Sequence, residues 1–432
     1  MLVRLRLSAV RVPACMMGLA LVLTALVFLP ARSYAQLAAG QNKFLGNIIS
    51  TSAPSNFSTY WNQVTPENAG KWGSVAASQD TSLWNWASLK LIYNYAVKNG
   101  FPFKDHNLVW GQQQPSWMSG LDSLHQVQMV ETWIRLCGTN VPKAAFVDVV
   151  NEPIHTPPNG QNGNANYIQA LGGAGATGWD WVIWAFEKAR QYFPNAKLLI
   201  NEYNILNSAA NTTTYINIIN LLKARNVIDG IGCQGHSLES TDTNTIKGNL
   251  NALAATGLPI YISEYDVNEA DDNTQLAIYE QQFPIFWKSP SVKGITLWGY
   301  IEGQIWRTNA YLIRSDSSER PAITWLRQYI ATNPTGVENP ASPIPSKYFL
   351  SQNYPNPFNP VTSIEYQLPI ETYVTLEVYD ILGREIATLV HGRQNAGTHD
   401  VTFDAGDLPS GVYFYRIEAG RFAEVKKLVV VR

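Results

Sequence analysis

The sequence predicts a (β/α)8 barrel followed by a small all-β sandwich, and three observations predict it. Between about Phe44 and Ala331, short β-type runs alternate with helical stretches in eight units. Polar and charged residues follow the apolar runs at once, in VVNE (Val149–Glu152), LLINEYN (Leu198–Asn204), GIGCQGH (Gly230–His236), YISEYD (Tyr261–Asp266) and TLWG (Thr296–Gly299). After Ala331 prolines replace that periodicity, and residues 348–432 then read as strands and turns only. A chain of 432 residues also exceeds what one hydrophobic core usually supports.

Taken in order, residues 1–35 read as a secretory signal peptide. Arg4, Arg6 and Arg11 form its positive region and Ala14 to Leu29 its apolar run. Ser33-Tyr34-Ala35 supplies the small residues for cleavage before Gln36. The competing reading is an uncleaved anchor, but the run is shorter than the ~20 residues a spanning helix needs. No later segment is long and apolar enough to span a bilayer, so no stable membrane span is expected after cleavage.

Strands are expected at Phe44–Ile49, near Trp61–Val64, and at Phe103–Val109, Phe146–Asn151, Lys197–Asn201, Gly230–Gln234, Ile260–Glu264 and Gly294–Gly299. Between them, apolar positions recur at three- and four-residue spacing, as in Leu89, Ile92, Tyr93, Ala96 and Val97. Trp181 to Tyr192, Tyr215 to Ala224 and Leu276 to Trp287 repeat the pattern. Short apolar strands between helices imply a parallel sheet. A doubly wound open sheet reads almost the same way from pattern alone.

Residues 36–332 are thus expected as the barrel domain and 333–347, with Pro334, Pro340, Pro343 and Pro345, as a stiff linker. In residues 348–432, Val374–Tyr379 alternates, Leu382-Gly383-Arg384 turns, and Pro409-Ser410-Gly411 turns into Val412–Ile417, as in a β-sandwich.

Composition narrows the function. Hydrophobic content of 46% with 15% charged residues describes a folded globular chain. A net charge of −2 leaves no basic field for a polyphosphate backbone, which argues against nucleic acid as a partner. Fourteen Trp and twenty-one Tyr offer flat faces for sugar rings, or fill a large core. Once Cys15 leaves with the signal, Cys137 and Cys233 show no metal spacing and fit buried structural roles. No metal or cofactor is expected.

Glu152 and Glu264 lie far apart in sequence, yet both fall at the ends of expected strands, the fourth and the seventh, on one barrel face. Around them stand TPENAGKW (Thr65–Trp72), DHNLVWGQQQPSW (Asp105–Trp117), DVVNEP (Asp148–Pro153), NEYN (Asn201–Asn204), GIGCQGH (Gly230–His236), ISEYD (Ile262–Asp266) and TLWGYIEGQIW (Thr296–Trp306). From about Phe44 to Leu326 these segments, in this order, resemble family 10 glycoside hydrolases, the xylanase family with its acidic residues on strands four and seven.

The resemblance implies an endo-acting retaining β-1,4-xylanase. Glu152 is then the acid/base and Glu264 the nucleophile. Asn151 hydrogen-bonds the sugar 2-hydroxyl, and His236, held by Asp266, orients Glu264. Glu67, Asn68, Lys71, His106, Trp110, Gln113 and Gln234 match positions that line the glycone subsites. Trp298 and Trp306 match two more, with rings that crowd a C6 hydroxymethyl and so favour xylose. Three features depart from the family pattern: Gly111 where His is common, Val147 where an aromatic is common, and the loop Tyr300-Ile301-Glu302-Gly303-Gln304. Glu302 stands there as a further carboxylate beside the cleft. Two other readings belong to the same residues: a barrel glycosidase preferring cellulose or mixed-linkage glucan, and a non-catalytic glycan-binding protein.

In the tail, NYPNPFNPVT (Asn353–Thr362), VYDILGREI (Val378–Ile386), LPSGVYFYRIEAG (Leu408–Gly420) and KKLVVVR (Lys426–Arg432) resemble the sorting domain of the type IX secretion system. That implies the secretion machinery as a partner, and a secreted or cell-surface protein of a Gram-negative bacterium. A carbohydrate-binding module is the competing functional reading, with Tyr413 and Tyr415 as its aromatic platform.

Overall fold

The computed structural model describes residues 36–335, 347–406 and 408–431. The expected signal peptide and residues 336–346 of the expected linker lie outside the described residues. Eight parallel strands form the first sheet: β1 (Phe44–Ile49), β2 (Val64–Pro66), β3 (Lys104–Val109), β4 (Phe146–Asn151), β5 (Lys197–Glu202), β6 (Gly230–Gly235), β7 (Ile260–Tyr265) and β8 (Val292–Leu297). β1 pairs with both β2 and β8, so the ladder runs β2-β1-β8-β7-β6-β5-β4-β3 and leaves β2 and β3 at its two ends. Between β2 and β3 the ring is closed by a bridge from Val64 to Phe103, with the Val64 N–H donating to Pro102 O at 3.0 Å. The sheet is a barrel.

Strand residues are buried on both faces, which is why most strands read as unbroken apolar runs. The exception is β3, whose sequence KDHNLV is polar for its first four positions yet fully buried. Lys104 and His106 find an acid inside the barrel, whereas burial and the neighbouring Asp148 push the Asp105 carboxyl up. Asp148 of β4 lies 3.0 Å from Lys104 Nζ and 2.9 Å from His106 Nδ1.

Four of the outer helices begin where short polar side chains cap their free N–H groups. Asp122 accepts the His125 N–H ahead of helix Ser123–Asn140, and Ser208 accepts Asn211 ahead of Ala209–Ala224. Asp242 and Asp271 do the same for Thr243–Ala254 and Asp272–Lys288. The expected helical stretches fall within Ala87–Lys98, Asp180–Tyr192, Ala209–Ala224 and Asp272–Lys288, and Ser123–Asn140 and Thr243–Ala254 are further helices.

Two strands differ from expectation by more than one residue. The second begins at Val64, because Trp61 instead caps the short helix Phe57–Tyr60 and packs edge-on against Tyr300 at 5.2 Å. Trp61 is apolar for packing, not for pairing. The eighth ends at Leu297, because Gly299 turns away at φ +106°, a conformation glycine adopts without strain. Core filling accounts for many of the tryptophans. Trp72 stacks on Trp133 at 5.7 Å, with Trp84, Trp86 and Trp117 around them. Cys137 and Cys233 are buried free thiols, and burial pushes both thiols up.

The tail is a sandwich of two antiparallel sheets. One contains β9 (Phe349–Leu350), β10 (Val361–Leu368) and β13 (Gly397–Asp404). The other contains β11 (Thr372–Tyr379), β12 (Glu385–Gln394), β14 (Gly411–Ala419) and β15 (Phe422–Val430). Alternate residues such as Ile364, Tyr366, Leu376, Val378 and Ile417 fill one shared core. At the expected turn, Asp380 accepts the N–H groups of Leu382 and Arg384, and Gly383 sits at φ +77°. The Asn-Pro segment covers an edge: Asn356 accepts the Val429 N–H at 2.8 Å and donates to Lys427 O at 3.2 Å, closing backbone groups of β15. Tyr413 and Tyr415 lie in the core, and the Tyr415 hydroxyl donates to Ser351 O. They form no exposed platform, so the carbohydrate-binding reading loses the feature that suggested it.

Candidate active site

A cleft of about 570 Å³ opens at the C-terminal ends of the barrel strands. Glu67, Asn68, Lys71, His106, Trp110, Gln113, Asn151, Glu152, Gln234, His236, Glu264, Trp298 and Trp306 all line it. Of the expected site residues only Asp266 does not, because it stands behind His236 with its Oδ2 2.8 Å from Nδ1.

Glu152 follows the last residue of β4 in a left-handed turn at φ +54°, which swings its side chain over the barrel mouth. Non-glycine residues adopt this conformation rarely and at a cost, so the surrounding structure must hold it. Its N–H donates to Asn201 O at 2.7 Å, and its own O accepts the Thr156 N–H at 2.9 Å. Its carboxylate accepts Trp110 Nε1–H at 2.8 Å on Oε2 and Gln234 Nε2–H at 3.1 Å on Oε1. Asn151 Nδ2 donates to the same Oε1 at 3.2 Å.

Glu264, on β7, is buried. Asn201 Nδ2 donates to its Oε1 at 2.7 Å, and His236 Nε2 lies 3.2 Å from Oε2. Burial alone would push this carboxyl up. The hydrogen bond from His236 and the charges of His106, His236 and Lys104 outweigh burial and hold it down at about 2. Burial likewise opposes a charged His236, but Asp266 and Glu264 together raise it to about 10. Asp266 is fixed in turn by Arg307 Nη1 at 2.7 Å and Trp306 Nε1 at 3.1 Å. Lys71 donates to Asn68 Oδ1 at 2.9 Å and Gln113 Oε1 at 2.6 Å, below the Trp110 ring. Its ammonium is lowered by burial, against the opposing pull of Glu264, Glu67 and Glu152.

The two carboxylates are joined by a short amide relay. Asn201 Nδ2 donates both to Glu264 and, at 2.8 Å, to Asn151 Oδ1, while Asn151 Nδ2 donates to Glu152. One carboxylate is therefore buried and ionised, and the other faces the cleft beside it. An electrophilic carbon and its leaving oxygen between such a pair would meet a nucleophile and a proton source.

Sequence reasoning did not single out Asn201, Thr156, Tyr203, Asn204, Ser237 or Gln112, although all but Asn201 line the cleft and Asn201 links the carboxylates. Asn201 to Asn204 stood in a quoted segment, and their polar run straight after β5 was the available signal. Glu302 is a correction. It accepts the Ser315 N–H at 2.9 Å within its own loop and is not among the cleft-lining residues.

Gly111 has a packing reason. A Cβ there would meet Thr156 O at 2.4 Å and Pro157 O at 2.7 Å, so the loop after Glu152 occupies the side-chain space. Gly111→Ala is expected to destabilise the barrel by about 1–3 kcal/mol, the usual range for overpacking. Thermal unfolding reads this directly, and an unchanged midpoint would refute it.

Residues 27–329 match the model of glycosyl hydrolase family 10. The chain belongs to that family. Residues 352–431 match a secretion system C-terminal sorting domain. Endo-1,4-beta-xylanase B of Cellvibrio japonicus is 42% identical over 289 residues, which cover 66% of this chain and 45% of that protein. Endo-1,4-beta-xylanase A of Phanerodontia chrysosporium is 29% identical over 283 residues, 63% of this chain and 65% of that one. The chain thus spans less than two thirds of the length of these two relatives. The solved structure of GH10 from Paenibacillus barcinonensis superposes with a TM-score of 0.61 at 23% identity, over 68% of this chain and 96% of that one, which supports the barrel fold. Among the described residues, no helix is long and apolar enough to cross a membrane.

Proposed function

We propose that this family 10 chain is an endo-1,4-β-xylanase acting with retention of anomeric configuration. The observation that carries the reading is the pair of carboxylates joined through Asn201 and Asn151, with Glu264 held ionised at about 2 in a buried setting. Glu264 attacks the anomeric carbon while Glu152 gives its proton to the departing glycosidic oxygen. Water, deprotonated by Glu152, then releases the sugar from Glu264. His236 and Asp266 keep Glu264 charged and aimed. Asn151 is positioned to meet the 2-hydroxyl, a contact that strengthens as positive charge develops on the ring.

Glu67, Asn68, Lys71, His106, Trp110, Gln113 and Gln234 are the proposed glycone contacts. Trp298 is nearly buried against His106 at 5.1 Å, whereas Trp306 leaves 56% of its surface exposed. An indole that exposed is not filling the core, which favours a sugar-facing role. In this reading the chain comprises a signal peptide (1–35), the catalytic barrel (36–332), a linker (333–347) and a type IX sorting domain (348–432). It is accordingly exported to the cell surface or medium of a Gram-negative bacterium.

Two measurements test the proposal. Reducing-sugar release should be far greater from xylan than from carboxymethyl-cellulose, and the reverse preference would favour a glucanase. NMR of the first product should show the β-anomer before mutarotation; an initial α-product would remove Glu264 from the nucleophile role. His236→Gln offers a third. It removes the cation that lowers Glu264, so the Glu264 carboxyl rises. A nucleophile must be ionised, so the acid limb of kcat/KM should move to higher pH, by about 1 unit or more. An unmoved limb would show that His236 does not set the charge of Glu264.

A further inference from the structure

The turn that presents Glu152 is tied down by a buried acid that the proposed mechanism does not use. Glu202, the last residue of β5, is 0% exposed. Oε2 accepts the Ile154 N–H at 2.8 Å, and Oε1 accepts the Tyr203 N–H at 2.9 Å. Oε1 also lies 2.9 Å from His155 Nδ1. Among the described residues no arginine or lysine pairs with this carboxylate, so His155 is its partner for charge as well as for hydrogen bonding. Burial raises the Glu202 carboxyl, and His155 opposes that rise.

His155 is built into the same corner. Its ring lies on Tyr203 at 4.4 Å between centroids, and Tyr203 lines the cleft. Its Nε2 lies 3.1 Å from Asn211 Nδ2, which also donates to Asn204 O. One carboxylate thus gathers the backbone two residues beyond Glu152, the backbone that begins the next loop, and an imidazole packed on a cleft-lining ring. A buried carboxylate is costly unless its lone pairs are satisfied, so the arrangement persists only while all three donors stay in place. Glu152 needs such support, because its left-handed backbone is not one its own side chain prefers.

We propose that Glu202 and His155 are positioning residues that clamp the Glu152 turn, and so set the proton-donating step without touching substrate. The proposal rests on Glu152 being the general acid. Proton donation matters most when the leaving group is a poor one. A displaced acid therefore slows cleavage of an alkyl or weakly acidic aryl xylobioside, and spares one whose phenol leaves unaided. A loss of folded protein lowers both rates by the same factor.

The experiment measures kcat/KM on two aryl β-xylobiosides, one with a strongly acidic and one with a weakly acidic phenol. The enzymes are wild type, Glu202→Gln, His155→Ala, His155→Asn and Glu152→Ala. Glu202→Gln and His155→Ala are expected to lose about ten- to a hundred-fold on the poor leaving group, the scale of a small misplacement of a reacting group. On the good leaving group they should stay within about threefold of wild type in the acylation-like first step. His155→Asn, whose amide N–H takes the place of Nδ1–H, should recover most of the loss. If Glu202→Gln does not fold, His155→Ala carries the test, because His155 is partly exposed and its removal leaves the barrel core intact. Equal losses on both substrates, or none, overturn the clamp while Glu152→Ala still shows the leaving-group dependence. If Glu152→Ala itself shows none, the acid assignment fails, and the clamp with it.

Discussion

Glu264→Ala is expected to lower kcat on xylan by about ten-thousand-fold or more, the scale on which removal of a covalent nucleophile acts. No neighbouring group can replace it. Asn201 and His236 present hydrogen-bond donors at that position, and donors cannot attack carbon. Glu152 is held by Trp110, Gln234 and Asn151 on the other side of the amide relay. Binding of xylan should persist, because the cleft keeps Trp110, Trp298, Trp306 and its amide side chains. Affinity electrophoresis beside a kinetic assay separates the two effects. The alanine leaves buried donors without an acceptor, so Glu264→Gln serves as the control that keeps the volume and an acceptor oxygen. Activity of either variant within tenfold of wild type would end the nucleophile assignment. Xylan binding with no hydrolysis even in the wild type would instead favour a glycan-binding protein.

Glu152→Ala is expected to produce a loss that depends on the substrate. On xylan, where the departing sugar alkoxide needs a proton, kcat/KM should fall by about a hundred- to ten-thousand-fold. On an aryl xylobioside with a strongly acidic phenol the first step should be nearly unaffected, because that leaving group departs unprotonated. The second step still needs a base, so the glycosyl-enzyme should accumulate and give a burst of phenol followed by a slow steady state. The same residue acting in both steps is what retention requires of an acid/base. Loss of equal size on both substrates, with no burst, would assign Glu152 to binding. The size of the effect also bears on Trp110, whose indole N–H meets Glu152 Oε2 at 2.8 Å.

How much of the site was legible follows from which contacts are local. A Glu at the end of an apolar strand can be found from chain pattern, because a barrel delivers strand ends to one face. Glu152 and Glu264 were visible in that way as strand-end carboxylates, and the family resemblance singled them out and added His236 and Asp266. What the pattern did not carry was the backbone of Glu152 itself, since φ +54° is imposed by contacts from β5 and from Thr156. Nor did it carry Asn201, whose importance lies in donating to residues 50 and 63 positions away. Trp61 misled the strand assignment for the same kind of reason: its hydrophobicity serves a ring contact with Tyr300, which lies 239 positions further along the chain.

Chain pattern by itself thus determined the alternation of strands and helices, the Pro-rich break, the all-β tail and the two acidic strand ends, because these depend on periodicity over a few residues. Tertiary structure alone decided that the sheet closes, which rests on one bridge from Val64 to Phe103 and the pairing of β1 with β8. It decided that Gly111 is small because Thr156 and Pro157 fill its space, that Glu302 turns to Ser315, and that Tyr413 and Tyr415 are core residues. It also gave the two glutamates different surroundings. Charge on Glu264 is fixed by His236, His106 and Lys104, which come from β3 and the end of β6. Electrostatic energy falls with distance in space and takes no account of distance along the chain, so only the folded barrel could set it.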